Sequence, residues 1–205
     1  MSNQSTKKAL TKLQQVGINE GVFCSDTLKL REIAATILRL HSLEDTSQLN
    51  IALNETQVRL PLETGHCSGH DPAALCLRPN DFLLFSEQLD PGQFLEQLRL
   101  FINPENTALF DNSDGLATFR LSGPGAPWLL NKLSGLDFQS APKEGQHCTR
   151  TRMAHAAVVV HYHQTGNDGS TFVFDLLFDR SLAKYMWELL TASANHADDL
   201  TNSYD

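Results

Sequence analysis

The stretch from Phe110 to Leu190 limits the fold most, because it sets two helix starts between runs suited to strands. The first start is Ser122-Gly123-Pro124-Gly125, continued by Trp128, Leu129, Leu130 and Leu133. Glycine lets the chain turn sharply, and proline is tolerated in a helix's first turn, where its missing N–H has no partner to lose. The second start follows Asp179-Arg180-Ser181, in which Asp179 or Ser181 can cap free amide groups. Beyond it, Leu182, Met186, Leu189 and Leu190 recur at helical spacing and form one apolar face, with an end expected near Ala192–Ala194. Helices alternating with strand runs predict an α+β core.

The flanking chain fits that class. Thr107–Phe110 and Ala117–Leu121 suit short strands on either side of the turn signal Asn112-Ser113-Asp114-Gly115. The run TRTRMAHAAVVVHYH suits one long strand, and Gly166-Asn167-Asp168-Gly169 then turns it into TFVFDLLF. Further upstream, LKLREIAATILRLH leaves strand and helix open on periodicity alone. A helix is expected from Ser42 or Thr46, with Leu49, Ala52 and Leu53 inward. ALCLRPNDFLLFS reads as a hairpin about Arg78-Pro79-Asn80-Asp81. Asp90-Pro91 opens a helix with the stripe Phe94, Leu95, Leu98, Phe101 and Ile102. The order strand–helix–strand–strand–helix–strand recurs about twice, which predicts paired ferredoxin-like units. Residues 1–25 read as a polar arm, disordered alone or ordered by a partner, and 195–205 as a polar tail. Between them, 26–194 form the domain, with a subdomain boundary expected near 105.

Composition removes several function classes. Hydrophobic residues at 41% and charged residues at 20% are those of an ordinary globular chain. No apolar run approaches the roughly 20 residues of a membrane helix, and the first residues lack a secretory signal's apolar segment. A cytoplasmic location without membrane contact is the expectation. A net charge of −8 opposes binding to nucleic acid, whose phosphates it would repel. Cys24, Cys67, Cys76 and Cys148 form no CxxC pair and read as reduced thiols.

Several groupings invite chemistry. Gly65-His66-Cys67-Ser68-Gly69-His70, with Cys76 nearby, offers zinc-type donors, but the spacing matches no standard finger; a solvated loop is the plainer reading. His155, His161 and His163 form a second group. On a strand His161 and His163 share a face and could hold a metal or act as a base. The plainer reading is a solvent-facing side whose inner face holds Val160 and Tyr162. His147 and Cys148 are neighbours on a strand, so they point apart and do not make a nucleophile–base pair. Asp175, inside the apolar FVFDLLF, needs a partner or a shifted pKa. Arg120, Arg150 and Arg152 are the candidates, and an ion pair or an exposed edge position is the plainer reading than catalysis. The SGPG run lacks the lysine and spacing of a phosphate loop. Trp128 and Trp187 read as core or interface anchors. No catalytic, cofactor-binding or metal residue is assigned.

The runs DNSDGLATFRLSGPGAPWLLNKLSGLDF and FDLLFDRSLAKYMWELL resemble the gamma subunit of heterotetrameric sarcosine oxidase. That subunit is similar in turn to the folate-binding domain of the glycine-cleavage aminomethyltransferase. The resemblance is carried mainly by the C-terminal half and thins before Leu75. It implies antiparallel sheets with packed helices, and it favours strand over Leu28–His41. It also implies a non-catalytic subunit that assembles with alpha, beta and delta partners. On those partners would sit FAD, FMN, NAD, tetrahydrofolate and zinc, and none on this chain. The whole complex would oxidise sarcosine to glycine, releasing peroxide and passing a one-carbon unit to tetrahydrofolate. In the aminomethyltransferases an acidic residue follows a methionine-leucine strand and a glycine-rich turn; the corresponding Arg152–Val158 here lacks both acid and glycines. The alternatives are a stand-alone folate or one-carbon binding protein, or an aminomethyltransferase-like protein; a metal-binding protein using the His66–His70 loop is a third.

Overall fold

The computed structural model describes residues 12–18, 21–140, 147–165 and 171–201. Two antiparallel sheets stack face to face, and helices cover their outer faces. In chain order the elements are α1 (Lys12–Gln15), β1 (Val22–Cys24), β2 (Lys29–Ile33), β3 (Thr36–Ser42), α2 (Thr46–Ala52), β4 (Cys67–Ser68), β5 (Ala73–Arg78) and β6 (Asp81–Ser86). There follow α3 (Pro91–Arg99), β7 (Thr107–Asp111), β8 (Leu116–Ser122), α4 (Ala126–Leu133), β9 (His147–Met153), β10 (Ala156–Thr165), β11 (Thr171–Asp179) and α5 (Ala183–Thr201).

Among the described residues, one sheet has the order β4-β5-β6-β3-β7. Its β3-α2-β5-β6-α3-β7 path is a ferredoxin-like unit, with the first and third strands central and every pairing antiparallel. The other sheet has the order β1-β2-β8-β11-β10-β9. It keeps a strand–helix–strand start, β8-α4-β9. The meander β9-β10-β11 then runs straight on, and α5 follows the last strand. The chain changes sheets at Asn112–Gly115: β7 lies at the edge of the first sheet, whereas β8 lies inside the second. A polar turn thus joins two layers rather than two hairpin partners.

Alternation along each strand builds three apolar clusters. Phe119, Leu121, Phe174, Leu176, Phe178, Val158 and Val160 point to α4 and α5, where they meet Leu129, Leu130, Met186 and Leu190. Leu38, Leu40, Phe82 and Leu84 meet Leu49, Phe94 and Leu98 of α2 and α3. The opposite faces meet each other through Ile37, Leu75, Leu83 and Phe85 against Cys148 and Leu177. Each sheet is therefore covered on both sides.

Helix ends follow local chemistry. Asp45 caps α2 through Ser47 N, which favours the later of the two expected starts. Asp90 accepts from Gln93 N ahead of α3, and Asp179 accepts from Ser181 N before a 3-10 turn that leads into α5. The proline inside the first turn of α4 is Pro127, with Gly125 at the cap, so Pro124 belongs to the approach. Gly123 has φ +107°, and a Cβ there would collide with the Thr27 carbonyl. Gly123→Ala is expected to lose at least about 1–3 kcal/mol through left-handed strain alone, measurable as a lowered urea midpoint.

Four expectations need correction. The polar arm is packed where it is described: Leu13 is fully buried in the α5-side cluster, β1 pairs with β2, and Glu32 accepts from the amides of Lys12 and Leu13. Lys12 Nζ on Asp114 at 2.7 Å and Arg180, which donates to Gln15 Oε1 at 2.9 Å, add to that docking. The helix α5 does not stop near Ala192–Ala194 but runs to Thr201, into the expected polar tail, because nothing in Asn195–Thr201 breaks a helix. The long run 149–163 is two strands: Ala154, at φ 49°, turns β9 into β10. The strand carrying His161 and His163 does not face solvent, as the site shows. The turn 166–169 lies outside the described residues, but β10 and β11 pair in register up to Thr165 and Thr171.

Candidate functional site

Asp175 lies at the centre of a polar island on the buried face between the sheets. Strand register puts it directly opposite Arg120 on β8 and His161 on β10. With alternation of side chains, His163 two residues on joins the same face. Asp175 is fully buried, His161 is 4% exposed, and Arg120 and His163 show a sliver of surface at the cleft.

The Arg120 guanidinium grips the carboxylate by two parallel bonds, Nε to Oδ1 at 2.6 Å and the terminal nitrogen to Oδ2 at 2.8 Å. Its other nitrogen reaches Glu87 Oε1 at 2.7 Å, just past the end of β6 in the opposite sheet. Both imidazoles address the same oxygen, Asp175 Oδ2: His163 Nε2 at 3.2 Å and His161 Nδ1 at 3.5 Å. Their rings stack at 4.9 Å with 21° between planes, and Phe85 of the other sheet lies 6.0 Å from His161. A cleft of about 200 Å³ opens here, lined by His70, Asp71, Phe85, Glu87 and the four polar residues of the island.

The electrostatics follow from burial and pairing. Burial works against charge on Asp175, but hydrogen bonds from Arg120, His161 and His163 outweigh it and hold the carboxyl well below the usual range. Burial likewise opposes charge on Arg120, and Asp175 and Glu87 overcome it, so the guanidinium is held more firmly charged than usual. His161 goes the other way: burial pushes its imidazole below the ordinary histidine value, only partly offset by Asp175.

A second buried carboxylate, Asp81, begins β6 and is held by Arg39 Nε at 2.9 Å and Arg78 Nε at 2.8 Å. Burial opposes its charge, and the two arginines more than compensate, lowering its pKa. A carboxylate depressed in the folded state contributes stability present above its unfolded pKa of about 3.9 and lost as pH falls through the folded value. Asp81→Asn is therefore expected to flatten the acid limb of the stability–pH curve below about pH 4, read by urea unfolding across an acid series.

The structure divides the other expected groupings. His155 sits exposed in the β9–β10 turn, away from His161 and His163. The His66–His70 loop scatters its donors. His66 packs its ring against His147 at 5.2 Å, His70 lines the Asp175 cleft, and Cys76 is buried towards α2 and α3. Among the described residues, the one arrangement able to hold a metal ion is His161, His163 and Asp175. Cys67 and Cys148 do meet: a hydrogen bond with Cys148, then burial, raises the Cys67 thiol strongly, so it is inert as a thiolate. All four cysteines are free thiols. Trp128 and Trp187 both pack against the α5-side cluster. Arg120 is the partner of Asp175; Arg150 and Arg152 on β9 are not. Glu87 is the member that no local pattern points to, since it joins from the other sheet.

This architecture, two stacked antiparallel sheets with one ferredoxin-like unit and helices outside, defines a known class of α+β fold. It is the fold of a chain in heterotetrameric sarcosine oxidase from Corynebacterium sp. U-96, solved with pyrrole 2-carboxylate. The TM-score is 0.74 at 21% identity, over 92% of this chain and 95% of that one. Aminomethyltransferase T of the glycine cleavage system from Bartonella henselae is also similar, with a TM-score of 0.57 at 13% identity over 80% of this chain. Only 45% of that enzyme is covered, so this chain spans less than half of its length. No protein-family profile matches the sequence. No curated protein sequence matches it either. Among the described residues, no helix is long and apolar enough to cross a membrane.

Proposed function

We propose that this chain is a non-catalytic, gamma-type subunit of an amine-oxidising complex of the heterotetrameric sarcosine oxidase kind. In that reading it acts in assembly and stabilisation, in the cytoplasm, beside alpha-, beta- and delta-type partners that carry the flavins, nicotinamide, tetrahydrofolate and zinc. The observation that carries the proposal is the near end-to-end match to a chain of that complex, 92% of one and 95% of the other. The edge strand β7 adds support. Among the described residues it ends the first sheet, and it presents Phe110, 55% exposed; such an edge suits a docking partner.

The aminomethyltransferase likeness favours a second reading, a stand-alone folate or one-carbon binding protein. Against it stands the stretch Arg152–Val158, which by resemblance corresponds to the acid and glycines of those enzymes and holds neither. The two readings part in one experiment. The chain is isolated from its native cell by affinity, and the eluate is assayed for flavin absorbance and for sarcosine-dependent peroxide. Flavin-bearing larger chains with that activity are expected. A flavin-free chain that binds tetrahydrofolate with saturation overturns the subunit reading.

A further inference from the structure

We infer that His161, His163 and Asp175 form a binding site for a divalent transition ion of the zinc class. The reading does not depend on the proposed subunit role. It rests on donor type, donor spacing and charge, all within one buried cleft.

The donors are of the right kind. Two imidazoles and one carboxylate, from neighbouring strands, are a recurring set for zinc and its first-row neighbours. Their spacing also fits. Ligands bound at about 2.0–2.1 Å in a tetrahedral arrangement lie roughly 3.3 Å apart. His163 Nε2 and His161 Nδ1 lie 3.2 and 3.5 Å from Asp175 Oδ2, and the donor atoms of all three residues fall within 4.8 Å of one another. An ion can therefore enter with side-chain rotations and no change of strand register.

Arg120 does not exclude the ion. A carboxylate offers about four lone-pair directions. Arg120 takes one on each oxygen, which leaves Oδ2 a further direction towards the histidines. The guanidinium then serves as the outer partner that orients a ligating carboxylate. The lining is also cation-friendly: three carboxylates, Asp71, Glu87 and Asp175, face one guanidinium, Arg120. An anion would meet that excess of negative charge. Three protein donors leave a coordination position open to the 200 Å³ cleft, which His70 also lines.

The test uses the untagged full chain, freed of metal by dialysis against chelator, titrated calorimetrically with zinc chloride and then with cobalt chloride followed by absorption. One equivalent of zinc per chain is expected, with the affinity falling at least tenfold in His163→Ala and unchanged in Cys67→Ser. The cobalt form should show ligand-field bands without thiolate charge transfer. Failure to bind one equivalent overturns the proposal, as does a thiolate band or an affinity indifferent to His163. If His163→Ala does not fold, the cobalt spectrum of the unaltered chain decides alone, because it separates nitrogen and oxygen donors from the Cys67, Cys76 and Cys148 sulfurs.

Discussion

Asp175→Ala is expected to lower stability by about 3–5 kcal/mol, the usual consequence of removing one partner from a buried ion pair. The carboxylate is fully buried and the Arg120 side chain is 16% exposed, so solvent cannot take over its role. Without Asp175, Arg120 keeps only Glu87, a partner at the partly exposed end of the cleft. The two imidazoles lose the oxygen that both address. At roughly 2–4 °C per kcal/mol for a chain of this size, the melting temperature should drop by about 6–20 °C. The measurement is a double-mutant cycle with Arg120→Ala in urea. The double variant should lose clearly less than the two single losses combined, since either one already breaks the pair. Additive losses, or a change under about 0.5 kcal/mol for Asp175→Ala, would mean that the pair does not hold the sheets' inner face together.

Phe119→Ala should cost a similar amount, about 3–5 kcal/mol, through a different mechanism. Phe119 is fully buried on β8 and meets Phe178 edge-on at 4.9 Å and Trp187 of α5 edge-on at 5.7 Å. Truncation leaves a cavity lined by two aromatic rings on rigid elements, which cannot collapse into it. The loss should appear as an earlier urea midpoint with the slope unchanged, because the folded state stays equally compact. Exposed Phe110, on the neighbouring sheet's edge, is the control. Phe110→Ala should change the isolated chain's stability by no more than about 0.5 kcal/mol.

The difference between these two phenylalanines marks what could be read from the residues alone. Alternation along β8 and β11 sorts Phe119, Leu121, Phe174 and Leu176 onto one face, and the capping residues Asp90 and Asp179 announce their helices. Those signals are local, acting within a few residues. The sheet to which each strand belongs is not a local property. Thr107–Asp111 and Leu116–Ser122 look like hairpin partners around a polar turn, and only the packing of two layers sends them to different sheets.

The candidate site was half legible for the same reason. Asp175 in an apolar run demands a counter-charge, and Arg120, one of three candidate cations, supplies it. The pairing of His161 with His163 followed from the period of a strand. Their burial did not, because alternation shows that Val160 and Tyr162 face one way without showing what covers the other face. The second sheet covers it, bringing Phe85 and Glu87 from about 75 residues away in sequence, a separation no local pattern encodes. The packing of residues 12–18 and the length of α5 are likewise set beyond local pattern: Leu13 is buried by the α5-side cluster, and nothing in Asn195–Thr201 breaks the helix.

The most direct test of the central claim, that this chain works as one subunit among larger partners, is sedimentation velocity on the particle that contains it, followed at both protein and flavin wavelengths. The account predicts a flavin-absorbing particle several times heavier than the 22.8 kDa chain, with this chain at fixed stoichiometry. A flavin-free species sedimenting at 22.8 kDa, or at a multiple made only of itself, would contradict it.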